Sequence, residues 1–155
     1  MTKADDRIEP VRSQVEVELP QRDAFEFFTS HISRWWPLET HSVSQERAET
    51  AVFELAEGGE IFELAENSER IPWGTISVFD PPDRLVFTWH PGRDPESAQE
   101  VEVRFTPAGN GTRVSVEHRG WEALGEKAAE TRDRYDEGWS YVLGECYRKG
   151  TTNLA

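Results

Sequence analysis

From about residue 49 to residue 119 the chain alternates apolar and polar residues between turns, and after Gly120 it changes to helical spacing. That order, a run of strands and then one long helical segment, limits what the chain can fold into. The strands read as "ETAVFEL", "EIFELAE" and "IPWGTISVF", broken by "EGG" and "NSE". "PPD" at 81–83 makes a stiff corner, beyond which Leu85, Phe87 and Trp89 alternate with Arg84, Val86 and Thr88. After the loop "HPGRDPESAQ", Val101, Val103 and Phe105 share one face of the next strand. "AGNG" is a hairpin signal, and Val114, Val116 and His118 then share a face of the strand that follows. Within "IPWGTISVF" the alternation predicts Ile76 and Val78 inward and Trp73 outside or near a rim.

The helical segment spans about 123–149, with Tyr135, Trp139, Val142, Leu143 and Cys146 along one stripe. A continuous helix there would measure about 40 Å, enough to cross a small sheet. Gly138 interrupts it and marks either an irregularity or the close approach of another element. Before the strand run, Val15, Val17 and Leu19 alternate as a half-buried strand that Pro20 ends. Phe25, Phe28, Ile32 and Trp35 then recur at helical steps, and Pro37 stops the helical segment. Trp35 falls on the buried stripe and Trp36 off it. A sheet with one apolar face needs a cover, and the last helix is the one element long enough to provide it. The predicted fold is α+β: a curved antiparallel sheet of about six to seven strands wrapped round a long C-terminal helix, with two short helices after the first strand. Residues 1–11 read as a flexible N-terminal segment, 12–149 as a single domain and 150–155 as a C-terminal tail.

Composition narrows the partners. With 17 basic and 30 acidic residues the formal charge is −13, which disfavours nucleic acid and anionic membrane surfaces. No apolar run approaches the roughly 20 residues of a membrane span, and a soluble, cytoplasmic protein is expected. The single cysteine, Cys146, cannot form an internal disulfide.

The combination of "ISRWWPLETHSV", the GG turn, "IPWGTISVFDPPDRLVFTW", "AGNGTRVSVEHRGWE" and "DEGWSYVL" resembles the SRPBCC or START-like superfamily. More narrowly it is similar to the small bacterial homologues of the heat-shock-protein-90 ATPase activator, over about residues 12–149. It departs where the family often has a Pro-Arg step, since Leu55, Ala56 and Glu57 stand there. The resemblance implies a helix-grip fold of the birch-pollen-allergen type and a tendency to hold small hydrophobic ligands. The chaperone-activating role does not carry over, because in the eukaryotic proteins it also involves a separate N-terminal domain.

Candidate residues follow from the faces that meet. Trp89, Trp139, Tyr135 and His118 are the preferred lining of a pocket between sheet and helix, with Phe87, Val103 and Phe105 beside them. The same residues could instead fill the core. Where they line a pocket, a Trp or Tyr offers an apolar body and one hydrogen bond. His41 falls on a loop beside the pocket mouth. No catalytic, metal-binding or cofactor motif appears, and neither a metal nor a cofactor is expected. The glutamates at 54, 57, 60, 63, 66 and 69 recur every third residue and read as a solvated acidic hairpin.

Three functions are compatible with these features. The first is non-catalytic binding of a small hydrophobic or aromatic molecule. The second is a polyketide cyclase or aromatase-like enzyme in which His118 and Tyr135 orient a reactive chain. The third is a protein-interaction or homodimer surface around an exposed Trp36 and the loop from His90 to Gln99.

Overall fold

The computed structural model describes residues 8–152, so positions 1–7 of the expected N-terminal segment and 153–155 of the expected tail lie outside the described residues. Seven strands form one antiparallel sheet: β1 (Val11–Val17), β2 (Ala48–Phe53), β3 (Glu60–Ala65), β4 (Arg70–Asp80), β5 (Arg84–Trp89), β6 (Gln99–Ala108) and β7 (Gly111–Arg119). The spatial order is β1-β7-β6-β5-β4-β3-β2. β1 and β2 are therefore the two edges, and the connection between them carries α1 (Gln21–Thr29) and two short 3-10 turns from one edge to the other. The chain then meanders back to β1 and closes the curled sheet with a helical segment. This is the helix-grip arrangement.

Inward residues stack in rows across the strands. Val11, His118, Val101, Phe87 and Ile76 are successive partners in the register, and each is at most 1% exposed. Outward, Glu102 lies beneath Arg84, Arg104 and Arg119 at 2.7–2.8 Å. The alternation of apolar and charged positions thus sorts the two faces as the sequence pattern requires.

β4 departs from the expected facing. Gly74 pairs with Ile61 and Pro72 with Phe62, leaving Trp73 as an extra residue; Ile76 pairs with Phe87 and Val78 with Val86, leaving Ser77 as another. Each extra residue turns the strand over. Trp73, Ile76 and Phe79 consequently face the core at three-residue steps, which strict alternation forbids. Trp73 is 1% exposed, whereas Val78, expected inward, is only half-buried.

The C-terminal segment is helical but not uniform. Residues Trp121–Lys127 form a 3-10 segment broken at Gly125, whose φ of +64° is left-handed, so α2 (Ala128–Tyr141) starts later than the sequence spacing predicts. A π-helical turn, Val142–Tyr147, joins α2 to α3 (Arg148–Thr152). The wider π turn moves the buried stripe by one position. Tyr147 is fully buried and donates to the Ala24 carbonyl at 2.8 Å, while Cys146, expected on the stripe, is only partly covered. Gly138 has no atom within 4 Å of where a Cβ would stand, so no element approaches it; close approach occurs instead at Gly150, where a Cβ would stand 2.9 Å from the Phe27 ring. That contact carries the helix to Thr152, into the segment expected as a tail.

Candidate functional site

Four tryptophans meet at the Trp89 end of the sheet. Trp36 lies 5.4, 5.8 and 6.0 Å from Trp73, Trp89 and Trp139, centroid to centroid. Three of them, Trp36, Trp89 and Trp139, form the floor of an open-mouthed cleft of about 490 Å³. α2 supplies one wall through Tyr135 and Gly138, continued by Val142 of the π turn, with Arg134 at its lip. The opposite wall comes from two loops: His41, Ser42 and Val43 before β2, and Pro91, Gly92 and Arg93 after β5. The volume falls within the size range of small-molecule sites.

Each indole N–H in this cluster is already spent inside the protein. Trp36 donates to the His41 carbonyl at 2.8 Å, Trp73 to Glu63 at 2.6 Å, Trp89 to the Tyr135 hydroxyl at 3.1 Å and Trp139 to His118 at 3.0 Å. A ligand therefore meets ring surface from these tryptophans, not the hydrogen bond that the sequence reading allowed them. The Tyr135 oxygen accepts from Trp89, and its own hydrogen has no acceptor among the described residues.

The residues singled out from the sequence divide into two groups. Trp89, Trp139 and Tyr135 line the cleft, and His41 stands at its edge. Phe87, Val103, Phe105 and His118 do not line it; they are at most 2% exposed and belong to the packed interior. α1 explains the difference. Phe25 and Phe28 reach Phe105 at 5.0 and 5.7 Å, and Phe53 reaches Phe87 at 5.6 Å, so aromatic rings plug the concavity at that end of the sheet. Among the described residues the space between sheet and C-terminal helix stays open at the Trp89 end. Trp36, expected to stand exposed as an interaction surface, is 9% exposed. The chain leaves helical geometry at Trp35, whose φ and ψ are −130° and −22°, and this swings Trp36 onto the other tryptophans.

His118 stacks on Trp121 at 4.1 Å and is fully buried. Its Nδ1 accepts from Trp139, which leaves Nε2 to donate to Gln99 Oε1 at 3.3 Å. Burial lowers its pKa to about 3, so the ring is neutral and engaged at both nitrogens. It positions Trp139 and does not meet a ligand in the cleft.

Glu63 corrects the reading of the glutamate series as wholly solvated, because it is fully buried. Its carboxylate accepts from the Val43 and Ser44 N–H groups at 2.8 Å each, from the Ser44 hydroxyl and from Trp73. Burial alone would raise its pKa; the bonds from Ser44, Val43 and Trp73 outweigh that and hold it below the usual carboxylate range. Glu63 thereby fixes both the loop that forms one cleft wall and the tryptophan behind the floor. Its period-three neighbours concealed it in the sequence. Gly92 and Arg93 fall in the loop from His90 to Gln99 that the sequence offered only as an interaction surface, and Arg134 was not singled out, since loop and helix-surface residues carry no facing signal.

The chain matches the family of activator of Hsp90 ATPase homolog 1-like (AHSA1) proteins over residues 12–145. It belongs to that family. Among solved structures, the AHSA1 fold is shared with protein MLL2253 from Mesorhizobium loti, at a TM-score of 0.70 and 15% identity over 94% of this chain and 98% of that one. CalC from Micromonospora echinospora, a self-sacrificing resistance protein, is 29% identical over 95% of this chain and 96% of its own, with a TM-score of 0.67. The anthrahydroquino-gamma-pyrone synthase Txn09, solved in complex with SUM, is 30% identical over 94% and 98% with a TM-score of 0.63. A comparison with curated proteins gives no match. Among the described residues of this AHSA1 protein, no helix is long and apolar enough to cross a membrane.

Proposed function

We propose that this AHSA1 protein binds a flat aromatic molecule in the cleft between Trp36, Trp89 and Trp139. The observation that carries the reading is the cleft itself: about 490 Å³ left open beside three tryptophan rings, in a fold whose other end is plugged. Ring surface with its N–H groups already satisfied favours a ligand that stacks. The name of Txn09 points to fused-ring chemistry in a relative and supports the choice of a tricyclic probe.

Gly138 provides the test, because a side chain there enters open space on the cleft wall. Gly138→Leu is expected to reduce the affinity for anthraquinone-2-carboxamide by more than about tenfold, read from quenching of tryptophan fluorescence, by occupying the volume the ring needs. Leucine also gains up to about 1 kcal/mol of helix propensity over glycine, so the thermal midpoint should hold or rise. Unchanged affinity in a folded Gly138→Leu variant removes the cleft as the binding place.

A second reading, favoured by the 30% identity to a synthase, makes the same cleft catalytic. His118 is too enclosed for that role. The proton-transferring groups at the cleft are the Tyr135 hydroxyl and the His41 imidazole, whose pKa burial lowers. This reading predicts chemical conversion of a bound substrate that Tyr135→Phe abolishes while binding persists. A ligand recovered unaltered by mass spectrometry supports binding alone.

A further inference from the structure

The walls of the cleft are at odds with the rest of the chain in their charge. Acidic residues outnumber basic ones 30 to 17 in the sequence, yet among the described residues no Asp or Glu lines the cleft, while two arginines do. No carboxylate of the described residues pairs with Arg93. Its neighbour Asp94 accepts the Glu96 N–H at 2.9 Å. Among the described residues Arg134 has one partner, Glu130 at 3.2 Å, with the two side chains 73% and 65% exposed. Such a pair is weak and readily exchanged for a better acceptor. Tyr135 adds an O–H without an acceptor among the described residues. The charged groups offered at the mouth are thus both donors, two guanidiniums, beside Ser42 and His41, which can donate or accept. A planar guanidinium matches a carboxylate in two parallel hydrogen bonds.

Building on the cleft reading above, we propose that the ligand carries an acidic group, a carboxylate or an ionised phenol, on its aromatic body. The tryptophans hold the rings, and Arg93, Arg134 and Tyr135 hold the acid. A neutral molecule of the same shape would leave Arg93 without a carboxylate partner among the described residues and Arg134 with only its exposed pair to Glu130. In a chain of charge −13 the overall field repels an anion, so local arginines are what makes such a ligand acceptable at all.

The test uses two probes that differ in charge and little in shape: anthraquinone-2-carboxylate and anthraquinone-2-carboxamide. The wild-type protein should bind the carboxylate about tenfold or more tightly than the amide, as charge-assisted hydrogen bonds require. The double variant Arg93→Gln/Arg134→Gln, made at two exposed side chains, should bring the ratio of the two affinities close to one. Equal affinities in the wild type, or a preference that survives in the double variant, overturn the acidic-group proposal. In that case amide binding that Gly138→Leu abolishes still leaves the cleft reading standing. If neither probe binds, the cleft reading falls and this proposal falls with it.

Discussion

At the residue scale, His118 shows how a polar side chain can serve a site that it does not enter. It sits in a row of apolar partners, neutral, with one nitrogen fixing the indole of Trp139. Its pKa is lowered by burial from 6.5 to about 3, and the sign of the consequence is definite. Below about pH 6.5 the unfolded chain takes up a proton there that the folded protein refuses. The contribution of His118 is complete above that pH and is lost as pH falls toward 3, at up to about 1.4 kcal/mol per pH unit. Glu63 has the same sign, but its loss begins only below its ordinary value of 4.5. The interval from pH 6.5 to 5 therefore isolates histidine. Urea unfolding of the wild type should show stability falling across it. His118→Asn, which keeps an acceptor for Trp139, should flatten that slope by close to one proton. An unchanged slope would mean that the ring is accessible and titrates normally. His41, also lowered, contributes equally to both proteins and cancels in the comparison.

At the scale of elements, α1 and the C-terminal helix divide the concave face of the sheet between them. α1 fills one end with phenylalanine, and α2 spans the other with a gap beneath Gly138. Phe105→Ala should accordingly cost about 3–5 kcal/mol, the range for truncating a buried aromatic, while the affinity of the cleft for anthraquinone-2-carboxamide stays unchanged. A lost affinity at full stability would show that Phe105 touches the ligand. The inner face was legible beforehand; the division of it was not. Alternation placed Phe87, Val103, Phe105 and His118 on the inner face, and helical spacing placed Trp139 opposite them. Periodicity says which face a side chain takes; it does not say whether the space in front of it is filled. That is why lining and core residues were grouped together. Bulges and π turns defeat periodicity outright, since each adds a residue that the pattern does not count. Trp73 and Tyr147, both fully packed, were misplaced or missed for that reason. Glu63 was hidden differently: its burial depends on donors from Val43 and Ser44, about twenty residues away in a loop without regular structure.

At the scale of the whole molecule, charge is the least balanced quantity. The excess of 13 negative charges is spread over a surface whose ion pairs are mostly exposed, with the Glu102 cluster on the outer face as the partly buried exception. Added salt acts on both in opposite directions. It weakens the exposed pairs, each worth about 0–1 kcal/mol at best, and it screens the mutual repulsion of the surplus acids, which acts over longer distances than any pair contact. The Debye length falls from about 30 Å at 0.01 M to about 8 Å at 0.15 M. Over that interval the long-range repulsion is cut first, while pairs in contact at about 3 Å keep most of their attraction. Stability should therefore rise with salt between those concentrations. A gain of about 1 kcal/mol would lift the thermal midpoint of a chain of this length by roughly 3 °C. Sodium chloride in calorimetry provides the measurement, and a midpoint that falls would show that the pairs outweigh the surplus. The same screening should speed the approach of an anthraquinone carboxylate to the cleft and leave the amide unaffected, because only the anion feels the field that surrounds Arg93 and Arg134.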